Sequence, residues 1–184
     1  MSSKLRIPVS QSDHSIGSES ASLVMVEYGD YECPFCGRAQ PVVESVRRKV
    51  GEDLRFVFRN FPLSEMHLHA LGAARAAEAA AKQGKFWEMH GLLYQNQESL
   101  DPRSLKHFAA KLGLDMEKFA REAGSEEVEK RIERDVRSGS VSGVNGTPAF
   151  YINGFRFEGP AHEHAILEAL GSVRATLGRH LRSS

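Results

Sequence analysis

The spacing of hydrophobic and polar positions changes three times along the chain. Leu23-Val24-Met25-Val26-Glu27-Tyr28 is a short apolar, partly β-branched run, and it predicts a buried strand. Gly29-Asp30-Tyr31-Glu32 then turns the chain. From Cys33-Pro34-Phe35-Cys36 onward the apolar residues follow helical spacing, with Val42, Val43, Val46 and Val50 on one side. Pro34 suits a first helical turn, where its missing N–H is no loss. Pro41 is expected to kink this helix and Gly51 to end it. Leu54-Arg55-Phe56-Val57-Phe58-Arg59 reads as a second strand, which makes a strand–helix–strand unit and implies a parallel pair.

The middle of the chain is helical. His67 to Lys82 is alanine-rich and stops at Gly84, and Lys85 to Asn96 carries Phe86, Met89, Leu92 and Leu93 as a stripe. Phe86 and Trp87 are read as core packing. Asp101-Pro102 has the form of an N-cap followed by proline, and Asp115 to Ala123 is a shorter helix. Ser125 to Ser138 holds Val128, Ile132 and Val136 on an inner stripe. Its Glu126–Lys130, Glu127–Arg131 and Glu133–Arg137 spacings predict a solvated charged face. After Gly139 the texture changes again. Thr147-Pro148-Ala149-Phe150-Tyr151-Ile152 is a strand entered through a proline, Asn153-Gly154 a hairpin turn, and Phe155-Arg156-Phe157-Glu158 the return strand. Gly159-Pro160 breaks it, and a last helix carries Ile166, Leu170, Val173 and Leu177. Residues 1–21 are Ser-rich and polar and read as a mobile arm. The predicted class is α/β: a β-α-β unit at 22–62 and a β-β-α unit at 139–178, with a helical insertion at 63–138 between them.

Composition narrows the function. The chain has 184 residues, 41% hydrophobic and 26% charged, enough to bury a substantial core. Lys plus Arg number 24 and Asp plus Glu 24, and this balance argues against nucleic acid as the main partner. The longest apolar runs fall far short of the ~20 residues a membrane span needs, so no membrane insertion is expected. The first 22 residues lack an apolar h-region, so a cytoplasmic chain is expected. The only two cysteines, Cys33 and Cys36, form a single C-x-x-C. That excludes a disulfide framework and a four-cysteine zinc site, and confines any thiol chemistry to this pair.

With a C-x-x-C opening the first helix and a Thr-Pro opening the third strand, the chain resembles the thioredoxin fold with a helical insertion. Its particular likeness is to the DsbA-like thiol–disulfide oxidoreductases. The resemblance rests on the stretch from Val26 through Cys33-Pro34-Phe35-Cys36 to Gly37, on Gly84-Lys85-Phe86-Trp87-Glu88-Met89-His90, and on Gly143-Val144-Asn145-Gly146-Thr147-Pro148. Pro34-Phe35 stands where the best-known oxidants of the family carry Pro-His. The resemblance implies disulfide exchange with protein thiols and disulfides, a redox-recycling partner, and no cofactor or metal. It also implies a cis Thr147–Pro148 bond lying against the cysteines, with the Thr147 backbone free to pair with substrate.

The residues add their own chemistry. A thiolate is the attacking species in disulfide exchange, and a helix N-terminus stabilises it. Cys33 is therefore the expected nucleophile at the exposed mouth of the helix, and Cys36, one turn on, the buried resolving thiol. Glu27 lies in an apolar strand, where desolvation raises a carboxyl pKa. In the resembled family an acidic residue here sits beneath the site, and its expected role is general base for Cys36. Asp30, nearer the turn, is expected to be exposed. Two other readings stand beside this one: a Cys2His2 zinc site using His67 and His69, which needs that segment to be a loop, and a protein-binding module that keeps the fold without turnover.

Overall fold

The apolar run at 23–28 forms strand β2 (Leu23–Gly29), and the run after Gly51 forms β3 (Leu54–Asn60). A computed structural model describes residues 4–182 of the chain. The two strands lie parallel, Leu23 opposite Leu54 and Gly29 opposite Asn60, joined by helix α1 (Pro34–Val50), which runs on through Pro41. Almost every residue of both strands is buried, because both faces of the sheet are covered. Strand β4 (Ala149–Ile152) pairs antiparallel with β2, placing Phe150 opposite Glu27, and β5 (Phe155–Phe157) closes that edge. The hairpin between them has positive φ at Asn153 and at Gly154, as a type I′ turn requires.

A fifth strand comes from the segment expected to be a mobile arm. β1 (His14–Ile16) pairs antiparallel with β3, giving the sheet order β1-β3-β2-β4-β5. Arg59 is the reason the segment is ordered. Its Nε and Nη2 donate to the two carboxylate oxygens of buried Asp13 at 2.9 and 3.0 Å. Its remaining N–H groups reach the carbonyls of Ile7 and Pro8 and the hydroxyls of Tyr28 and Ser138. A buried guanidinium needs all these acceptors, and the 7–13 segment supplies four of them. Residues 1–3 of the expected arm lie outside the described residues.

The sheet separates two apolar layers. Leu23, Met25, Phe56, Phe58, Phe150 and Ile152 look toward α1 and the last helix; Val26, Tyr28, Val57 and Tyr151 look the other way, onto Phe61, Val144 and the N-terminal Leu5 and Val9.

The insertion comprises α2 (Ala70–Ala81), α3 (Phe86–Gln95), α4 (Pro102–Lys111), α5 (Met116–Ala123) and α6 (Glu126–Ser142), and α7 (Glu163–Arg182) follows the hairpin. Asp101, Asp115 and Ser125 cap α4, α5 and α6 as their positions suggest. Phe86 is buried and Trp87 packs against the same core.

Two local expectations are corrected. α2 begins at Ala70 rather than His67, because the preceding loop is tied to the turn after β2. α6 continues past Gly139, the expected boundary, and stops at Gly143 in the left-handed region. At Gly139 a Cβ would stand 2.7 Å from the Phe61 ring, so this glycine marks a close approach rather than a break. The charged face of α6 is solvated as expected, with Arg131 alone of its predicted residues half-buried. Glu126 and Lys130 pair on the surface, whereas Glu127 reaches Lys82 and Arg131 pairs with buried Asp135.

Candidate active site

Helix α1 starts on the cysteine pair. Cys33 is its N-cap in extended conformation, and Pro34 occupies the first turn. The Asp30 carbonyl accepts the Cys33 N–H at 3.2 Å, and the Asp30 N–H donates to Cys36 Sγ at 3.5 Å. Cys33 Sγ lies 3.4 Å from the carbonyl oxygen of Thr147, across the mouth of β4, and the Thr147–Pro148 peptide bond is cis. The structure therefore brings Cys33, Cys36, Thr147 and Pro148 together from positions 114 residues apart. Both cysteines are free thiols. Cys33 is only 3% exposed, against the expectation of an open mouth; Phe35 instead takes the exposed position at 63%, with the Arg38 guanidinium over its ring. Pro34 is exposed beside it.

The two sulfurs are electrostatically unlike. Cys33 is drawn down to about 5 by the Cys36 side chain, with further hydrogen bonds at Thr147 and from the backbone N–H groups of Cys36 and Phe35, against the opposing effect of burial. Cys36 is pushed far upward by burial, by the proton it shares with Cys33 and by the nearby Glu27 carboxyl. Glu27 is fully buried and neither carboxyl oxygen has a hydrogen-bond partner. Burial, then the charge of Cys33, raises it to about 8.

Two supports were not legible in the sequence. Gln97, beyond the end of α3, donates through Nε2 to the carbonyls of Tyr31 and Cys33 at 2.8 and 2.9 Å, fastening the turn to the insertion. Gly37 makes room for it, since a Cβ there would stand 1.9 Å from Gln97 Oε1. Asp30, expected to be exposed, is buried. Its Oδ1 accepts the Glu32 N–H, and its Oδ2 accepts from Leu63 N at 2.9 Å and lies 2.7 Å from His67 Nδ1. The only earlier signal for His67 was the zinc reading. The 63–69 segment is indeed a loop, but His67 is engaged with Asp30. His69 donates its backbone N–H to Glu32, and among the described residues no group of three or more His, Cys, Asp or Glu is placed to hold a metal ion.

A profile described as Thioredoxin matches residues 9–171. The chain belongs to the thioredoxin family. Among solved structures, a thioredoxin-like oxidoreductase from Silicibacter pomeroyi DSS-3 is 27% identical, with 90% of this chain and 94% of that one covered at a TM-score of 0.81. Oxidised BdbD from Bacillus subtilis is 23% identical, covering 94% and 96% at a TM-score of 0.80. Alpha-DsbA1 from Wolbachia pipientis is 19% identical, covering 96% and 98% at 0.83. These place the helical insertion, as well as the central sheet, within the DsbA-type variant of the thioredoxin fold. Curated relatives named Na(+)/H(+) antiporter NhaA 1 from Mycobacterium sp. (strain KMS) and NhaA 3 from Salinispora tropica are 42% and 41% identical, over 88% and 94% of this chain. The chain spans 27% and 26% of their lengths. Among the described residues no helix is long and apolar enough to cross a membrane.

Proposed function

We propose that this thioredoxin-family chain is a thiol–disulfide oxidoreductase acting on protein thiols and disulfides, with Cys33 as the attacking sulfur. The observation that carries the reading is the inequality of the pair: Cys33 caps the helix beside Thr147, where its thiolate is favoured, and Cys36, one turn on, is fully buried and held as the thiol. Cys33 thiolate attacks a substrate disulfide. The substrate S–S bond breaks, and a mixed disulfide forms with one substrate sulfur leaving as thiolate. Glu27 then takes the Cys36 proton, Cys36 attacks Cys33 Sγ, and the second substrate sulfur leaves. Two electrons pass to the substrate and the pair becomes a disulfide.

The same steps run backward when a substrate dithiol is oxidised. Stabilising Cys33 as thiolate favours the reduced pair, which makes oxidation of substrate the favoured direction. A recycling partner bearing a disulfide then restores the Cys33–Cys36 bond. Thr147 and Pro148 line the approach to Cys33, where an extended substrate segment pairs with the Thr147 backbone. Pro34 and the exposed Phe35 form the outer lip.

Trapping tests the assignment. Cys36→Ser is expected to accumulate mixed disulfides with an unfolded, disulfide-bonded substrate such as insulin, and Cys33→Ser to accumulate none. Faster alkylation of Cys36 than of Cys33 in the reduced protein at mildly acidic pH would overturn it. The reduction potential is expected between the roughly −270 mV of a strongly reducing pair and the roughly −120 mV of a strongly oxidising one.

A further inference from the structure

The Pro34-Phe35 dipeptide places no charge between the cysteines. A titratable ring is tied to the turn that carries the pair. His67 lies in the loop between β3 and α2, and its Nδ1 is 2.7 Å from Asp30 Oδ2. Asp30 also holds the loop through the Leu63 N–H, while the Glu32 carboxylate accepts the His69 N–H at 2.5 Å. The backbone of the same Asp30 touches both cysteines, through its carbonyl to Cys33 N and its N–H to Cys36 Sγ. One residue therefore fixes the imidazole and the redox pair relative to each other. The His67 side chain is 16% exposed, so it can trade protons with solvent.

The charged groups that act on His67 are the carboxylates of Asp30, which touches its ring, and of Glu32, together with the Cys33 sulfur, all favouring its charged form. Partial burial opposes them, but the hydrogen bond and charge of Asp30, followed by Cys33 and Glu32, carry His67 above its ordinary value. A carboxylate on the turn that carries Cys33 would by itself disfavour a thiolate. An imidazolium bound to that carboxylate neutralises it and removes that repulsion.

We propose that His67, held by Asp30, is a positioning residue of the redox pair that keeps a positive charge beside Cys33 and so stabilises its thiolate. This deepens the exchange reading given above and rests on it for its functional meaning, while its test reads Cys33 directly. A histidine that only pinned the loop would leave the sulfur's titration unchanged.

The experiment follows the pH dependence of Cys33 alkylation by iodoacetamide in the reduced full chain, scored by peptide mass. His67→Gln keeps a donor for Asp30 but removes the charge. Its alkylation midpoint is expected to rise by about half a pH unit or more, which is a roughly threefold lower thiolate-to-thiol ratio at any pH. His67→Lys, which restores a cation, is expected to move the midpoint back toward the wild-type value. The reciprocal effect is read in the unaltered loop: the His67 ring, titrated by NMR, is expected to lose protons at lower pH in Cys33→Ser than in wild type, because each charge stabilises the other. Superimposable alkylation curves for wild type and His67→Gln would overturn the proposal. If His67→Gln does not fold, an unmoved His67 titration in Cys33→Ser overturns it alone. A shifted midpoint with no mixed-disulfide trapping would sink the exchange reading and leave the His67 assignment standing.

Discussion

Glu27 and Asp13 are both carboxylates buried against the two central strands, on opposite faces of one sheet, and they live under opposite rules. Asp13 meets Arg59 through two parallel hydrogen bonds. Burial alone would raise its pKa, but the Arg59 hydrogen bond, the Ser10 N–H and the Arg59 charge together hold it below the usual carboxylate range. Glu27 points at the cysteines from the opposite face, has no partner for either oxygen, and is raised to about 8. A satisfied buried charge holds structure. An orphaned one is tolerated where its protonation state is used, and the fold must supply the stability elsewhere.

The largest test of this contrast is to break the satisfied side. Arg59→Met removes the main partner of buried Asp13, leaving it the Ser10 N–H and the longer Arg134 contact, and urea unfolding at pH 7 is expected to register a loss of about 3 kcal/mol. Glu27→Gln at the same pH should cost little or stabilise the protein. Comparable losses in the two variants would erase the distinction.

The second test is pH. Glu27 has a folded pKa near 8 against 4.5 unfolded, so its contribution is fully present below about 4.5 and is lost as pH rises through 8. Cys33 runs the other way. Its folded pKa near 5 against 9.0 unfolded gives stability that is present above 9.0 and is lost as pH falls through 5. Between 5 and 8 the two slopes oppose each other, and the stability of the reduced wild type is expected to be nearly flat. Reduced Glu27→Gln is expected to gain stability as pH rises. Cys33→Ser is expected to lose it, by at most on the order of 4 kcal/mol across the window. Parallel curves for all three proteins would refute the assigned coupling.

A third, smaller effect is kinetic. If Glu27 accepts the Cys36 proton, Glu27→Gln is expected to slow resolution of a preformed mixed disulfide roughly tenfold to a hundredfold at pH 7, with the initial attack by Cys33 almost unchanged. Rapid-quench separation of the two phases checks this, and equal slowing of both phases would show that the variant acts through structure.

The smallest effect lies at the join between sheet and insertion. Gly37→Ala drives a methyl into Gln97 and should loosen the turn that carries Cys33. The expected loss is about 1–2 kcal/mol, measured by thermal unfolding. A variant as stable as wild type would show that Gln97 moves aside without consequence.

Much of this architecture was legible in local patterns. The apolar runs of β2 and β3 lack the regular apolar–polar alternation that a one-sided strand would show, the stripes of α3 and α4 keep helical spacing, and Asp101-Pro102 and Asn153-Gly154 each carry a backbone requirement within adjacent residues. The failures share a cause. A Ser-rich arm becomes strand β1 only because Arg59, more than forty residues on, needs acceptors. Gly139 reads as a stop but serves Phe61.

The site divides along the same line. The sequence by itself determined that two cysteines, one turn apart at a helix start, are the only thiol chemistry available, and that an acidic residue sits in the preceding strand. Those are properties of neighbours on one short segment. That Thr147 meets Cys33 followed from no local spacing, only from the family resemblance, and only the tertiary structure decided that Glu27 is left without a hydrogen-bond partner and that Asp30 is buried and holds His67. Desolvation and charge pairing depend on what packs across a gap of tens of residues, and no local spacing encodes that distance.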